Sequence, residues 1–233
     1  MIPLWSLSAF AQTPTHAKSI VMPYDSTSTI VGSSGRVVPY SEWGPFTETD
    51  RYFIRQTRNN SGRDEFMLIH LSREKQQEIA IKSPPGPSPN FHIGDTLILN
   101  GKNLGGRIYS KATLKNKIIV IHIWLSLDFH PIQLSCYNEL VDSFGNNKRI
   151  IFLSLLEDNE ATARELFKDY PFKYSIVPGQ QKLLKKWSVR SYPKDVILND
   201  EGIVIYSSIG FGVSTIYWLR KKINESIKQL GVS

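Results

Sequence analysis

An α/β sandwich, with helices on both faces of a central mixed sheet and a small β-hairpin-containing region in front of it, is the fold class that the 233 residues predict. From residue 91 onward, apolar strand-like runs alternate with amphipathic helical stretches, an order that layers helices on a sheet rather than building a bundle or a barrel. The last elements are a hairpin and then a helix, so the sheet must be mixed. The segment Ser83-Pro84-Pro85-Gly86-Pro87-Ser88-Pro89 can be crossed by no helix or central strand, and it divides the chain. The expected organisation is a signal-peptide remnant over 1–11, a small amino-terminal region over 12–83, a Pro-rich linker over 84–90 and the sandwich over 91–233.

Each element has a local reason. Residues 12–36 are polar and rich in Ser and Thr, with Pro14, Pro23, Gly32 and Gly35, which predicts extended or loosely ordered chain. Arg51–Thr57 and Glu65–Leu71 are two β-type runs flanking a turn cluster around Asn59–Arg63, hence a hairpin. Ser72 is placed to cap a short helix reaching Ile81. Beyond the linker, Thr96–Asn100 and Gly106–Ser110 predict a leading hairpin, Lys117–Leu125 a buried strand, Pro131–Phe144 a helix and Arg149–Leu156 a second buried strand. Asp158 or Asn159 can cap a helix running to Tyr170. Lys173–Val177 then reads as a strand, Gln180–Trp187 as a helix, Lys194–Asn199 and Gly202–Ser207 as a hairpin, and Thr215–Leu230 as the closing amphipathic helix.

Composition removes several function classes. A 41% apolar and 21% charged chain is that of a protein with a packed core. No run of eighteen apolar residues occurs, so no membrane span is expected. The net charge is +7, yet Lys and Arg are dispersed among Asp and Glu. The densest groups, Lys182, Lys185 and Lys186 with Arg190, and Arg220 to Lys222, fall at helical spacing and read as solvated helix faces, so nucleic acid is not an expected partner. Small residues at Ala9 and Ala11, before Gln12, follow a short apolar stretch like the end of a secretory signal, which predicts an exported, periplasmic protein. The single cysteine, Cys136, excludes an internal disulfide and a multi-thiolate metal site. No Gly-rich phosphate loop, paired carboxylates or Ser-His-Asp grouping stands out, and Gly210-Phe211-Gly212 is too short for dinucleotide binding, so no cofactor or metal is expected.

The element order, Val120–Ser126 leading into a helix, and the block from Trp187 through Tyr192-Pro193-Lys194 to Asp200-Glu201-Gly202 together resemble the thioredoxin-like proteins of the TlpA/ResA (redoxin) type. The resemblance spans about residues 91–230, and Phe172–Gly179 is similar to a segment of exported members from Bacteroidetes. It implies a thioredoxin-like α/β/α sandwich, thiol-disulfide oxidoreductase ancestry, and a cis proline at Pro193 facing the redox site. The family's Cys-x-x-Cys follows a tryptophan; counting from Trp124, its positions fall on Asp128, Phe129, His130 and Pro131, so both cysteines are replaced. Dithiol exchange needs an attacking thiolate and a resolving thiol, and that site has neither.

What remains is a groove expected between the Asp128–Pro131 loop, the Tyr192-Pro193 loop and the Gly210-Phe211-Gly212 turn, lined by exposed Trp124, Phe129 and Tyr192 rings together with Pro193 and Phe211. Such a groove can hold an extended polypeptide or an envelope protein through backbone hydrogen bonds. Cys136 lies on the inward stripe Ile132, Cys136, Leu140, Phe144 and reads as a small buried hydrophobe; its alternative is a single-cysteine redox or peroxide-reducing thiol. His122 alternates with Ile121 and Ile123 and reads as an interior histidine, while His130 could pair with Asp128 as base and orienter, bind a metal with His122, or sit at the surface. A third reading is a structural envelope component that uses the amino-terminal hairpin for contacts.

Overall fold

The computed structural model describes residues 25–44, 46, 51–58, 61–62, 64–126, 131–212 and 214–231. The expected signal segment at 1–11 lies outside them.

In the amino-terminal region, β3 (Tyr52–Arg58) and β4 (Asp64–His70) pair antiparallel from Tyr52 opposite His70 to Arg58 opposite Asp64, as the hairpin reading expects. Within the stretch read as extended or loosely ordered, Ile30–Val31 forms β1, parallel to Phe66-Met67 of β4 and antiparallel to β2 (Val37–Val38). The ladder partner lies some thirty-five residues downstream, and local polarity carries no trace of it. Ile30, Val38 and Leu68 pack there with Trp43 of the short helix α1 (Tyr40–Trp43). Helix α2 (Arg73–Lys82) is capped as the sequence predicts, the Ser72 hydroxyl accepting from the Lys75 N–H at 3.3 Å.

This region is laid against the rest of the molecule. Ala80 of α2 is buried and its carbonyl accepts from the Trp218 indole at 2.7 Å. Arg51 pairs with Glu139. The Pro-rich segment is also engaged: the Ile209 N–H donates to the Gly86 carbonyl at 3.0 Å, the Asn90 amide to the Ser188 carbonyl at 2.7 Å, and Phe91 is buried.

The larger sheet has strand order β11-β10-β7-β8-β9. Its centre is β7 (Ile118–Trp124), flanked in parallel by β8 (Ile150–Leu156), which pairs with β9 (Ser175–Val177), and in antiparallel by β10 (Lys194–Leu198), which pairs with β11 (Val204–Ile209). Every residue of β7 is buried, as its continuous apolar run demands of a strand covered on both faces. Ile119, Ile121 and Ile123 face a cluster completed by Leu114 of α3 (Lys111–Leu114) and Leu184 of α6 (Gln181–Lys186). Ile118 and Val120 face Tyr137 and Leu140 of α4 (Pro131–Phe144) and Leu219 and Ile223 of α7 (Thr215–Gly231). Helix α5 (Glu160–Asp169) is capped by Asn159, not Asp158, and places Ala163 against Trp124 and Leu156.

The leading hairpin is displaced from its expected position. Its second strand, β6 (Ile108–Tyr109), lies within the expected Gly106–Ser110, but its first is β5 (Gly101–Lys102), not Thr96–Asn100. Backbone groups of Gly94, Asp95 and Leu97 are already bonded to Gly202 and Val204, which attaches that stretch to the edge of the β10–β11 hairpin. A side chain at Gly101 would come within 2.5 Å of Val177, so only glycine lets β5 lie this close to β9.

The docking of α2 generates a prediction. Trp218→Phe keeps the ring but removes the donor to Ala80, and should lower stability by about 0.5–1.5 kcal/mol while speeding tryptic cleavage at Lys82. Urea unfolding with timed proteolysis checks it, and an unchanged cleavage rate would mean that other contacts hold the helix.

Candidate functional site

The register of the central strands creates a polar row inside an otherwise apolar sheet. Asp195 of β10 stands opposite His122 of β7 on one side and Ser208 of β11 on the other, and His122 stands opposite Ser154 of β8. Cross-strand neighbours share a face, so these four side chains project together toward α4. Asp195 is fully buried and accepts at both oxygens: His122 Nδ1 lies 2.9 Å from Oδ1, and the Tyr137 hydroxyl donates to Oδ2 at 2.9 Å. The Trp124 indole donates to Ser154 Oγ at 2.7 Å. Rings close over the row, with Tyr137 centred 4.2 Å and Trp124 5.7 Å from His122. Burial, and secondarily the Asp195 charge, push the Tyr137 phenol well above its ordinary range, and the same two causes act on Tyr174, so both stay protonated. Lys194, on the opposite face of β10, is enclosed with its ammonium on Ser191 Oγ at 2.9 Å, and burial pulls its pKa down.

Above this row lies the rim where the groove is expected. Asp158, just past β8, holds Ser126 with both carboxylate oxygens, from the backbone N–H and the hydroxyl, each at 2.9 Å. Its neighbour Glu157 accepts from the Tyr192 hydroxyl at 2.7 Å. The Tyr192-Pro193 peptide is cis, and the Pro193 carbonyl accepts from the Gly210 N–H at 2.9 Å, which ties the proline loop to the turn carrying Phe211. The Phe211 ring lies 5.4 Å from that of Tyr137. Pro131 is the first residue of α4, where a proline's missing N–H leaves no intrahelical bond unmade. Asp128, Phe129 and His130 lie outside the described residues.

Two expectations change. Trp124 is not an exposed groove ring: it is 3% exposed, because it shares the His122 face of the innermost strand, where Leu134, Ala163 and Phe172 cover it. Tyr192 is half-buried and its hydroxyl is committed to Glu157. The structure thus brings Tyr192, Pro193 and Phe211 together at the rim and removes Trp124 to the core. Cys136 is 5% exposed in the second turn of α4, facing the cluster that includes Tyr137 and Leu140, as the stripe reading expects.

Sequence reasoning gave no site role to Asp195, Tyr137, Glu157 or Asp158. A signal existed for the first: Lys194-Asp195 opens an otherwise apolar strand, and charges in a buried strand require partners. The Asp195–His122 pair has the connectivity of a catalytic acid–base dyad, yet His122 is 2% exposed beneath Tyr137, so its chemistry is that of a satisfied interior bond. Among the described residues, no group of three His, Cys, Asp or Glu side chains is placed to hold a metal.

No family model and no curated protein matches this chain. Solved structures do. A Chlorobium tepidum protein described as a thiol:disulfide interchange protein DsbE aligns at TM-score 0.52 and 13% identity, over 58% of this chain and 98% of that one. A thioredoxin from Neisseria meningitidis aligns at 0.50 and 18% over 59% and 92%. The carboxy-terminal domain of a thiol-disulfide oxidoreductase from Bacteroides thetaiotaomicron aligns at 0.50 and 19% over 60% and 99%. At such identities the likeness is one of fold: the sandwich is thioredoxin-like.

The buried row generates two predictions. Tyr137→Phe removes one donor from a buried carboxylate and should cost about 1–3 kcal/mol, whereas Asp195→Ala strands both His122 and Tyr137 and should cost about 3–5 kcal/mol. Urea midpoints give the order, and equal losses would deny Asp195 its central place. The second concerns alkaline pH. Because the folded protein holds the Tyr137 and Tyr174 protons more tightly than the unfolded chain, their contribution is complete below the ordinary phenol value of 10.0 and is lost as pH rises above it. Unfolding above that pH should coincide with a rise in tyrosinate absorbance, and Tyr137→Phe should flatten the slope.

Proposed function

From a thioredoxin-like fold that carries one thiol, we propose that this chain is an exported binding protein that docks an extended polypeptide instead of exchanging disulfides. The observation that carries the reading is the state of the thiol inventory. The sole cysteine, Cys136, is buried within α4, and the helix opens on Pro131, which has no side chain able to attack or resolve a disulfide. The Tyr192-Pro193 loop and the Phe211 turn, bonded to one another, supply backbone groups and rings of the kind that add a peptide strand, and Asp128, Phe129 and His130 complete the groove in this proposal. Export rests on the Ala9-Phe10-Ala11 segment preceding Gln12.

One observation favours a second reading. Cys136 borders a cleft that also contains Arg51 and Arg220, and a guanidinium near a thiol stabilises the thiolate, so single-cysteine redox or peroxide reduction through Cys136 is the alternative. An amino-terminal contact surface for envelope proteins is a third use of the same fold.

Insulin reduction by dithiothreitol separates the first two. The wild type and Cys136→Ser should both match the reagent blank, whereas turnover that disappears with Cys136→Ser would overturn the binding reading. In parallel, an array of extended peptides should retain the wild-type chain and bind Phe211→Ala about tenfold more weakly, the loss expected of an aromatic anchor.

A further inference from the structure

A cleft of about 720 Å³ opens where the amino-terminal region meets α4 and α7. That volume lies in the range of small-molecule sites, which favour such junctions. Its walls come from distant parts of the chain: Arg51 before β3, His70 at the end of β4, Arg73 at the start of α2, Glu139 on α4 and Arg220 on α7. Three arginines and one carboxylate therefore line the cleft, and that carboxylate is already paired with Arg51. The Arg73 and Arg220 side chains make no hydrogen bond or ion pair among the described residues, although Arg36, Arg58 and Arg164 each meet a carboxylate on their own surface. The opening turn of α2 is itself satisfied, since Ser72 takes the Lys75 N–H and Glu74 accepts from its own backbone and from Ser72. Among the described residues no carboxylate lining the cleft is bonded to Arg73 or Arg220, although the Arg73 charge also acts on Glu74 next to it in the chain. Arg220 lies on a solvated face of α7, as its spacing predicts, and that face borders this cleft.

We infer that this cleft binds a small ligand bearing an oxyanion, a carboxylate or a phosphate, held between Arg73 and Arg220. A planar guanidinium donates two parallel hydrogen bonds to such a group, and an anion brings a countercharge to a cleft whose lining carries more arginines than carboxylates. Tyr217 and Ile216 give the remainder of a ligand larger than the anion an apolar wall. Because the two arginines belong to the amino-terminal region and to α7, the occupant also clamps these parts together and stabilises the chain by mass action. The inference is independent of the polypeptide groove, which uses other residues.

Isothermal titration of the full chain with inorganic phosphate and, separately, with succinate, at matched ionic strength in chloride, tests it. Saturable one-to-one binding is expected for at least one probe, and which one binds distinguishes phosphate from carboxylate ligands. Arg73→Gln and Arg220→Gln, both at exposed positions, should each weaken that binding about tenfold, while Arg149→Gln, away from the cleft, should leave it unchanged. Absence of saturable binding to either probe overturns the proposal. So does binding that survives both substitutions in proteins whose circular dichroism matches the wild type.

Discussion

A carboxylate buried at the centre of a sheet is the constraint on which the rest of the molecule depends. Asp195 has no access to water, so its charge or its lone pairs must be met from within. His122 meets one oxygen from the adjacent strand and Tyr137 the other from the covering helix, which fixes the register of β10 on β7 and the depth of α4 at once. A slip of β10 by a single residue would carry Asp195 to the opposite face, among Ile121, Ile123 and Leu184, where no donor waits. The apolar clusters supply most of the burial, but they would tolerate several registers. The polar row tolerates one.

The rim inherits its shape from that arrangement. Helix α4 begins at Pro131 directly above the row, and Tyr137, one and a half turns on, spans from Asp195 to the Phe211 turn. Glu157 and Asp158 emerge side by side at the end of β8 and reach in two directions, to Tyr192 and to Ser126. The two loops beside the helix start are thereby anchored to one strand end. Here α4 starts at a proline and the sulfur of Cys136 lies in the core.

The amino-terminal region borders a cleft because of its mode of attachment. Its own core of Ile30, Val38, Trp43 and Leu68 is small, and the Trp218 bond and the Arg51–Glu139 pair hold it against α7 and α4. Attachment at separate points leaves a space between them. Of the acids near that space, Glu139 is paired with Arg51, and Glu74 is bonded in the first turn of its own helix while also feeling the Arg73 charge.

Patterns that a strand or helix carries within itself were readable from the residues. The apolar runs of β7 and β8, the β3–β4 hairpin, the Ser72 cap and the inward stripe of α4 all depend on neighbours a few positions away. The same locality explains what could not be read. A strand buried on both faces loses its alternation, so nothing in Val120–Trp124 marks the tryptophan as core instead of rim. Asn159 and Asp158 are equivalent as caps until Ser126, thirty-two residues earlier, claims the aspartate. Ile30 and Val31 look like any polar-flanked pair until β4 supplies a ladder. The amino-acid sequence by itself determined the layered fold and, through its single cysteine, the absence of an internal dithiol. Only the tertiary structure decided that Asp195 would meet His122 across seventy-three positions and that Arg73 and Arg220 would face one cleft, because hydrogen bonds and charges act over a few ångströms of space and sequence separation does not measure that distance.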